Sequence, residues 1–441
     1  MILALIAMVS AQPAAAPASL PIVVRAERMF DARGGRMVSP GLVVVAGGRI
    51  VAVGGTAPIA ARTIDLGDAT LLPGLIDAHT HISDWRAEDW HDKVLMPDAE
   101  RVLVAAKNAR VTLAAGFTTI RDLWSYGRAD VSLREGINRG DVSGPRIVAS
   151  AIALGARGGH CEQTWDRIDP LPGLEGGVAV GADGFRDAVR HAIKRGADVI
   201  KVCISSGVGD AAKKPDAVQL TQAEIDAVVD EAHRLGFKVA VHSHSDLGAR
   251  MAIQAGADSI EHGSFMTDDT LKKMKARGTW LVADLQAAEY GNQPGAIGYS
   301  ADELRKARAT YAPFVRMTRS AIRMGVKIAF GTDAGEYPLG ENAKQFALLV
   351  REGMTPAMAL QSATVRAAEL LGLQDEIGAL ETGKSADIVA VAGNPLDRIT
   401  TMEHMRFVMK SGEVIVERGL AARRAGERPL SDLCLCSPAW W

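Results

Sequence analysis

The central part of the chain alternates short apolar runs with amphipathic segments, such as TQAEIDAVVDEAHRLG, whose apolar residues recur every three or four positions. The first pattern is typical of buried strands and the second of helices, so together they predict a parallel sheet with helical crossovers. Eight strand candidates follow one another: GLIDAHTH, FTTIRDL, RIVASAIAL, DVIKVCISS, KVAVHSH, SIEHG, TWLVADL and KIAFGTD. Eight strands with helices predict a closed (β/α)8 TIM-like barrel, whose functional residues lie at the carboxyl ends of the strands.

An open, doubly wound sheet is the alternative architecture, but no Gly-rich dinucleotide turn follows the first strand. Helix start signals support the predicted boundaries. Thr221 with Glu224 fits a capping box, and Pro356 after Thr355 places a proline at the first helical position.

Both flanks of the barrel segment consist of short apolar runs broken by Gly and Asp turns, as in GLVVVAGGRIVAVGG and MRFVMKSGEVIVERG, which predicts β structure. We therefore predict an α/β protein with a barrel over residues 74–376. A small β-sandwich is predicted from residues 19–73 and 377–420, with residues 421–441 as a C-terminal tail.

Residues 1–18 resemble a secretory signal, because an apolar stretch is followed by small residues with cleavage sites after Ala11 or Ala18. No Lys or Arg precedes the apolar stretch, so a disordered leader is the alternative. We expect a periplasmic or secreted protein, with the cytoplasm as the other option. No apolar run is long enough to span a bilayer.

The 441 residues are 48% hydrophobic and 23% charged, which allows a large buried core. The net charge of -2 provides no general attraction for nucleic acid or an anionic membrane. The four cysteines, Cys161, Cys203, Cys434 and Cys436, match neither a disulfide scaffold nor a zinc motif, and no chemistry is assigned to them.

Polar residues stand at the ends of five predicted strands. A single histidine at such a place is more often structural, and an Asp in GTD could be a helix N-cap. A lysine inside an apolar strand is harder to explain, because a buried ammonium is costly without a partner. Since imidazole and carboxylate are ligands that suit zinc, their convergence on one rim predicts a metal site. The candidates are His79, His81, Lys201, His242, His262 and Asp333.

With these residues, the segment from Ile22 to Glu417 resembles the amidohydrolase superfamily. The similar branch is the binuclear-metal branch, which includes imidazolonepropionase-like proteins, prolidase-like dipeptidases and ochratoxinase-like carboxypeptidases. The resemblance implies two divalent metal ions, with zinc as the expected metal. It implies that the first ion is bound by His79, His81 and Asp333, the second by His242 and His262, and that Lys201, carboxylated by CO2, bridges both.

The resemblance also implies that a metal-bridging hydroxide attacks the scissile carbonyl while Asp333 moves the proton to the leaving amine. We predict a hydrolase of linear amides, of carboxypeptidase or dipeptidase type, with ochratoxin-like amides among its candidate substrates. The alternative is a cyclic amidohydrolase such as an imidazolonepropionase-like, ring-opening enzyme. A catalytically dead scaffold is disfavoured because the ligand set is complete. Relatives of this kind are often homo-oligomers, including octamers.

Further candidates lie in the loops after the first strands. His160, in GARGGHCEQTW, partly matches a dipeptidase loop whose histidine binds the substrate carbonyl, and it could otherwise be structural. Arg157 could pair with a substrate carboxylate or be a solvated surface residue. His244 shares a strand face with His242 and could support a ligand. Pocket-lining or interface roles are considered for Trp85, Trp90, Trp124 and Trp165, and pocket-lining roles for Glu336 and Tyr337.

Overall fold

The computed structural model describes residues 20–56, 58–84, 96–162, 176–210, 212–294 and 296–417. Structural statements below refer to these residues. The predicted leader and the tail beyond residue 420, with Cys434 and Cys436, lie outside the described residues.

The strands of the described chain fall into an N-terminal group, a central group and a C-terminal group. They are β1 (Ile22–Ala26), β2 (Arg28–Asp31), β3 (Arg36–Val38), β4 (Gly41–Ala46), β5 (Arg49–Val53), β6 (Arg62–Asp65), β7 (Ala69–Pro73), β8 (Leu75–Thr80), β9 (Phe117–Asp122), β10 (Arg146–Ala149), β11 (Ala153–Gly155), β12 (Gly177–Val178), β13 (Val199–Cys203), β14 (Lys238–Ser243), β15 (Ser259–His262), β16 (Trp280–Val282), β17 (Ile328–Ala329), β18 (Ile388–Ala392), β19 (Met405–Lys410) and β20 (Glu413–Glu417).

Most of the helices lie between the central strands. They are α1 (Asp98–Ala114), α2 (Ala129–Arg139), α3 (Gly181–Lys194), α4 (Gln222–Arg234), α5 (Asp246–Ala255), α6 (Asp268–Arg277), α7 (Leu285–Asn292), α8 (Ala301–Met324), α9 (Lys344–Arg351), α10 (Pro356–Ser362) and α11 (Val365–Leu371), with a 3-10 helix at Ile399–Glu403. Within the described ranges, none of the helices combines the length and apolarity needed to cross a bilayer.

The two flanks of the chain build a pair of sheets. One sheet has the strand order β5-β4-β1-β6, and the other has the order β20-β19-β18-β7-β2-β3. Strands β18 and β7 pair antiparallel, with Ile388 opposite Pro73, so the C-terminal strands complete a sheet begun near the N-terminus. Val43 of the first sheet and Leu71 and Phe407 of the second share one buried apolar cluster. The predicted sandwich of flanking strands is therefore present.

The central strands form the predicted parallel barrel. Strands β10, β9 and β8 pair in this order, and β11, β13, β14, β15, β16 and β17 continue in a second parallel run. The Ala78 N–H donates to the Phe330 carbonyl at 2.8 Å, and Thr80 bridges Ala334, which joins the last strand to the first. The third predicted strand is interrupted between β10 and β11, where Ala151 has a positive φ of 62°.

The predicted helix starts are also confirmed. The Thr221 side chain accepts from the Glu224 N–H, and the Glu224 side chain accepts from the Thr221 N–H, which completes the capping box before α4. Thr355 caps α10, with Pro356 in the first turn. These caps fix where the crossover helices begin, and the loops before them are left at the carboxyl ends of the barrel strands.

Candidate metal centre

A cavity opens at the carboxyl ends of the barrel strands, and about 1020 Å³ of space, including open solvent at its mouth, lies between its walls. It brings together all six residues predicted from the strand ends, namely His79, His81, Lys201, His242, His262 and Asp333. Two of them, His262 and Asp333, adopt positive φ angles of 66° and 59°. Non-glycine residues pay for this conformation in steric strain, and such strain is common at functional sites. Both strand ends therefore turn at the cavity in a backbone conformation that is uncommon for non-glycine residues.

His79, His81 and Asp333 form the first group of polar atoms in the cavity. The Asp333 Oδ1 atom lies 2.9 Å from His81 Nε2 and 3.4 Å from His79 Nε2. The Asp333 N–H donates to the His79 carbonyl at 2.9 Å, which ties the last barrel strand to the first. His79 Nε2 is buried and has no hydrogen-bond partner among the residues that the structure describes. An orphaned imidazole nitrogen beside a carboxylate fits a metal ion.

A second group contains three histidines. Ligand atoms of His242, His244 and His262 lie within 4.8 Å of one another, and the same limit holds for His79, His262 and Asp333. His262 therefore lies close both to His79 and Asp333 and to the other two histidines, so the two candidate ion sites are adjacent. The structure gives His244 a closer position than the sequence suggested, since its ring stacks on that of His262 at 4.8 Å.

Buried carboxylates behind the histidines were missed in the sequence. Glu261 accepts a hydrogen bond from His79 Nδ1 at 2.9 Å and another from Arg121 at 2.9 Å. Asp284 lies 2.9 Å from His262 Nδ1. Such partners orient a histidine so that its other nitrogen faces the metal. The sequence does contain a signal for both carboxylates, since Glu261 interrupts the apolar strand β15 and Asp284 closely follows β16.

Burial sets the charge of most of these groups. Burial, with the nearby Lys201, lowers the pKa of His79 to about 4, and burial lowers the pKa of His262 to about 3. These imidazoles are therefore neutral near pH 7, as metal ligands must be. Burial also lowers the pKa of Lys201 to about 8, which leaves a fraction of neutral amine near neutral pH.

The pKa values of His81 and Asp333 are shifted in opposite directions, because these two side chains interact with each other. Burial acts to lower the pKa of His81, but the hydrogen bond and charge of Asp333 outweigh it and raise this pKa to about 9. Burial acts to raise the pKa of Asp333, but His79 and His81 hold it well below its usual range. The carboxylate is thus ionised, and a metal ion would take the place of the His81 proton.

His160 is brought into the site. Its ring stacks on that of His242, with centroids 4.0 Å apart and planes 19° apart, and its Nδ1 atom lies 3.6 Å from an Asp210 oxygen. The Trp124 ring lies 6.3 Å from the His160 ring. His160 is therefore placed where it can face a substrate held beside the second group of histidines.

Arg157 is not brought into the site. The chain turns between Ala156 and Gly159, where the Gly159 N–H donates to the Ala156 carbonyl at 3.0 Å, and Arg157 is exposed on this turn. It is absent from the residues that line the cavity, so a carboxylate clamp at Arg157 is not supported. The candidates Trp85, Trp90 and Trp165 lie outside the described residues.

Aromatic and small apolar side chains line the rest of the cavity. Glu336 lines the cavity as expected, whereas Tyr337 is buried and is not among the lining residues. The helices α7 and α8 provide most of the apolar wall. Lining residues on this side include Ala287, Ala288, Gly291, Ala307, Tyr311 and Phe314. The aromatic rings of Trp124, Tyr126 and Tyr299 also line the cavity. The cavity therefore combines a polar floor with a wall that suits an apolar substrate group.

Two cysteines to which the sequence assigned no role are joined. Cys161 and Cys203 form a disulfide across 42 residues, with Cα atoms 5.7 Å apart. Their separation matches no cysteine motif, so only the fold reveals the pair.

The sequence profile of the amidohydrolase family matches residues 70–416. Ochratoxinase from Aspergillus niger is 31% identical over 371 residues, which cover 79% of this chain and 76% of that protein. Imidazolonepropionase from Symbiobacterium thermophilum is 28% identical over 433 residues, covering 91% and 95%. A crystal structure of a Xaa-Pro dipeptidase with methionine bound in its active site superimposes with a TM-score of 0.84 at 35% identity, covering 89% and 99%.

The match spans the barrel that carries the buried histidines, the lysine and the aspartate, and the geometry and the similarity agree. The chain belongs to the amidohydrolase family and is a hydrolytic enzyme.

Proposed function

We propose that the protein hydrolyses linear amides in which the amine product is an amino acid, as a metal-dependent carboxypeptidase or dipeptidase. The observation that carries this proposal is the cavity itself, where an aromatic and apolar wall stands beside the polar cluster. A bulky acyl group or side chain can occupy the wall while the scissile carbonyl reaches the histidines.

The proposed metal ligands follow from the two groups of the site. His79, His81 and Asp333 would hold one divalent ion, since the Nε2 atoms of both histidines lie within 3.4 Å of the carboxylate. His242 and His262, two members of the second group, would hold the other, with zinc as the proposed metal. Lys201 would bridge them once carboxylated, a reaction that needs the neutral amine favoured by its lowered pKa. When bound, the ions would supply Lewis-acid polarisation of the carbonyl and acidify water.

The chain's own residues would handle protons and orientation. Asp333 is ionised and lies at the junction of the first and last strands, so it can accept a proton from the attacking water and pass it to the leaving amine. His160, stacked on His242, would hold the substrate carbonyl in place. Asp333 and His242 are largely buried, at 8% and 2% exposure.

The substrate class is supported by what the relatives act on and bind. Ochratoxinase and the dipeptidase with bound methionine point to a linear amide with an amino acid on the amine side. The second candidate function is ring opening of a cyclic amide. The match to imidazolonepropionase, over 91% of this chain, is the observation that favours it.

A comparison of kcat/KM values separates the two candidates. The metal-loaded protein, prepared with Zn²⁺ and bicarbonate, is assayed with an N-acyl-phenylalanine, the corresponding amide without a free carboxylate, a Xaa-Pro dipeptide and imidazolonepropionate. The Asp333→Asn variant is the low-activity control. Turnover of the acyl amino acid or the dipeptide is the expected result, while efficient turnover of imidazolonepropionate alone would establish the ring-opening function instead.

Export and homo-oligomer formation are also part of the proposal. The leader-like residues 1–18 support export. Homo-oligomer formation is an expectation that the family resemblance implies. N-terminal sequencing of the protein from culture fractions tests the first, and sedimentation velocity tests the second.

A further inference from the structure

The Cys161–Cys203 disulfide links the loop after β11 to strand β13, which also carries Lys201. We propose that this disulfide is a clamp that sets the position of His160 over His242, so that full catalytic efficiency requires the oxidised pair. The inference rests on the proposed function, since it takes His160 to orient the substrate carbonyl.

The positions of the two cysteines make the link direct. Cys161 follows His160 in the chain, and Cys203 is paired in register with His242 of the neighbouring strand. The covalent bridge therefore joins the backbone next to one stacked ring to the backbone opposite the other. Both cysteines are buried, at 0% and 1% exposure. A shift of the loop would separate the rings, whose centroids are 4.0 Å apart.

Other contacts confine the same ring. The His160 N–H donates to Gln219 Oε1 at 3.0 Å, which fixes the backbone of the loop. A Cβ atom at position 207 would overlap Cε1 of the His160 ring. The ring therefore occupies the space that a side chain at Gly207 would need. The ring is thus held in a narrow slot, and the disulfide anchors the chain that enters it.

Chemical reduction converts the disulfide to two thiols and removes this constraint. Tris(2-carboxyethyl)phosphine breaks the S–S bond, two S–H bonds form, and the phosphorus takes the oxygen of one water molecule to become the phosphine oxide. Cys203 lines the cavity, which is the route by which the reagent would approach the disulfide. Because both sulfurs are buried, the Cys161→Ala/Cys203→Ala variant provides the same open state without relying on access.

The experiment uses the full chain with Cys434→Ser and Cys436→Ser, so that only the clamp cysteines are counted. Denatured without reductant it should show no free thiols, and after reduction it should show two. The best substrate of the panel above is used, whichever class it belongs to. We expect kcat/KM to fall roughly ten- to a hundredfold on reduction, the effect of a displacement near 1 Å. Bound metal and the far-UV circular dichroism should not change.

The His160→Ala variant gives the decisive comparison. If the clamp acts through His160, reduction should cause no further loss in this variant, because the two changes remove the same interaction. An equal loss with and without His160 would overturn the inference, as would two free thiols in the untreated protein. Loss on reduction with an unimpaired Cys161→Ala/Cys203→Ala variant would overturn it too, because a free thiolate would then be the cause.

Failure of the proposed function is a separate outcome. If no linear amide is hydrolysed, the proposed function fails, but the thiol count and the metal content still show whether the pair is oxidised and whether the metal site depends on it. If only imidazolonepropionate is turned over, the same comparison with His160→Ala is made on that substrate.

Discussion

Replacing Glu261 by Gln should weaken both the fold and the metal site. Glu261 is completely buried on β15, between the imidazole of His79 and the guanidinium of Arg121. The Arg121 pair and the His79 hydrogen bond outweigh burial and lower the pKa of Glu261 to about 2, so the side chain is an anion. The variant keeps the shape of the side chain and removes its charge.

The expected loss of stability follows from the burial of Arg121. Arg121 is 2% exposed and would keep its charge without the carboxylate that now pairs with it. Breaking a buried ion pair in this way costs about 3–5 kcal/mol of unfolding free energy. His79 would also lose the anion that fixes its tautomer, and loss of such a partner lowers metal affinity about 10- to 100-fold.

Two assays separate these effects. Urea unfolding of the metal-free protein, followed by circular dichroism, measures stability, and competition with a chromophoric chelator measures metal affinity. The control is Arg121→Met/Glu261→Gln, which removes both charges and should recover much of the stability while metal affinity stays low. A double variant as unstable as Glu261→Gln would refute the charge-pair reasoning. Wild-type metal affinity in Glu261→Gln would refute the role assigned to the His79 contact.

Three further variants probe the site. Lys201→Ala should lose bound metal and activity together, and a short carboxylic acid should restore part of both; retention of two ions with normal turnover would contradict the bridging role. Asp333→Asn should lower kcat at least about a hundredfold with the fold intact, because an amide is no base at neutral pH; near-normal kcat with full metal content would exclude Asp333 from proton transfer. Gly207→Ala should displace the His160 ring and lower kcat/KM roughly ten- to a hundredfold without loss of metal. The control Gly184→Ala, in a helix with room for a methyl group, should leave kcat/KM unchanged. Equal effects of the two glycine variants would refute this explanation.

The convergence of the candidate metal ligands on one rim follows from local pattern, whereas their division between two ions is what the family resemblance implies. Alternation of apolar runs with amphipathic helices sufficed for the barrel, and in a barrel all parallel strands end at one rim. A polar residue at a strand end is therefore placed near other strand ends, however far apart they are in the chain. This is why His79 and Asp333, separated by most of the barrel, could be assigned to one site before any contact was known.

The supporting partners depended on three-dimensional packing. Glu261 and Asp284 carry the signal of a polar residue in or after an apolar strand, but the histidine that each one supports is set by the neighbouring strands and side-chain directions. The sequence places His244 only on the strand face of His242, whereas its stacking on His262 depends on how β14 and β15 meet.

Loop residues were decided by the tertiary structure. Arg157 and His160 lie three positions apart in one loop, yet the first is exposed and the second reaches the cavity, because a tight turn separates them. The partner of Cys161 is likewise fixed by how that loop closes onto β13. The sequence alone determined the barrel and the residues on its rim, because strand and helix periodicity is a local property. The path of a loop is a balance of many distant contacts, and only the folded chain determines it.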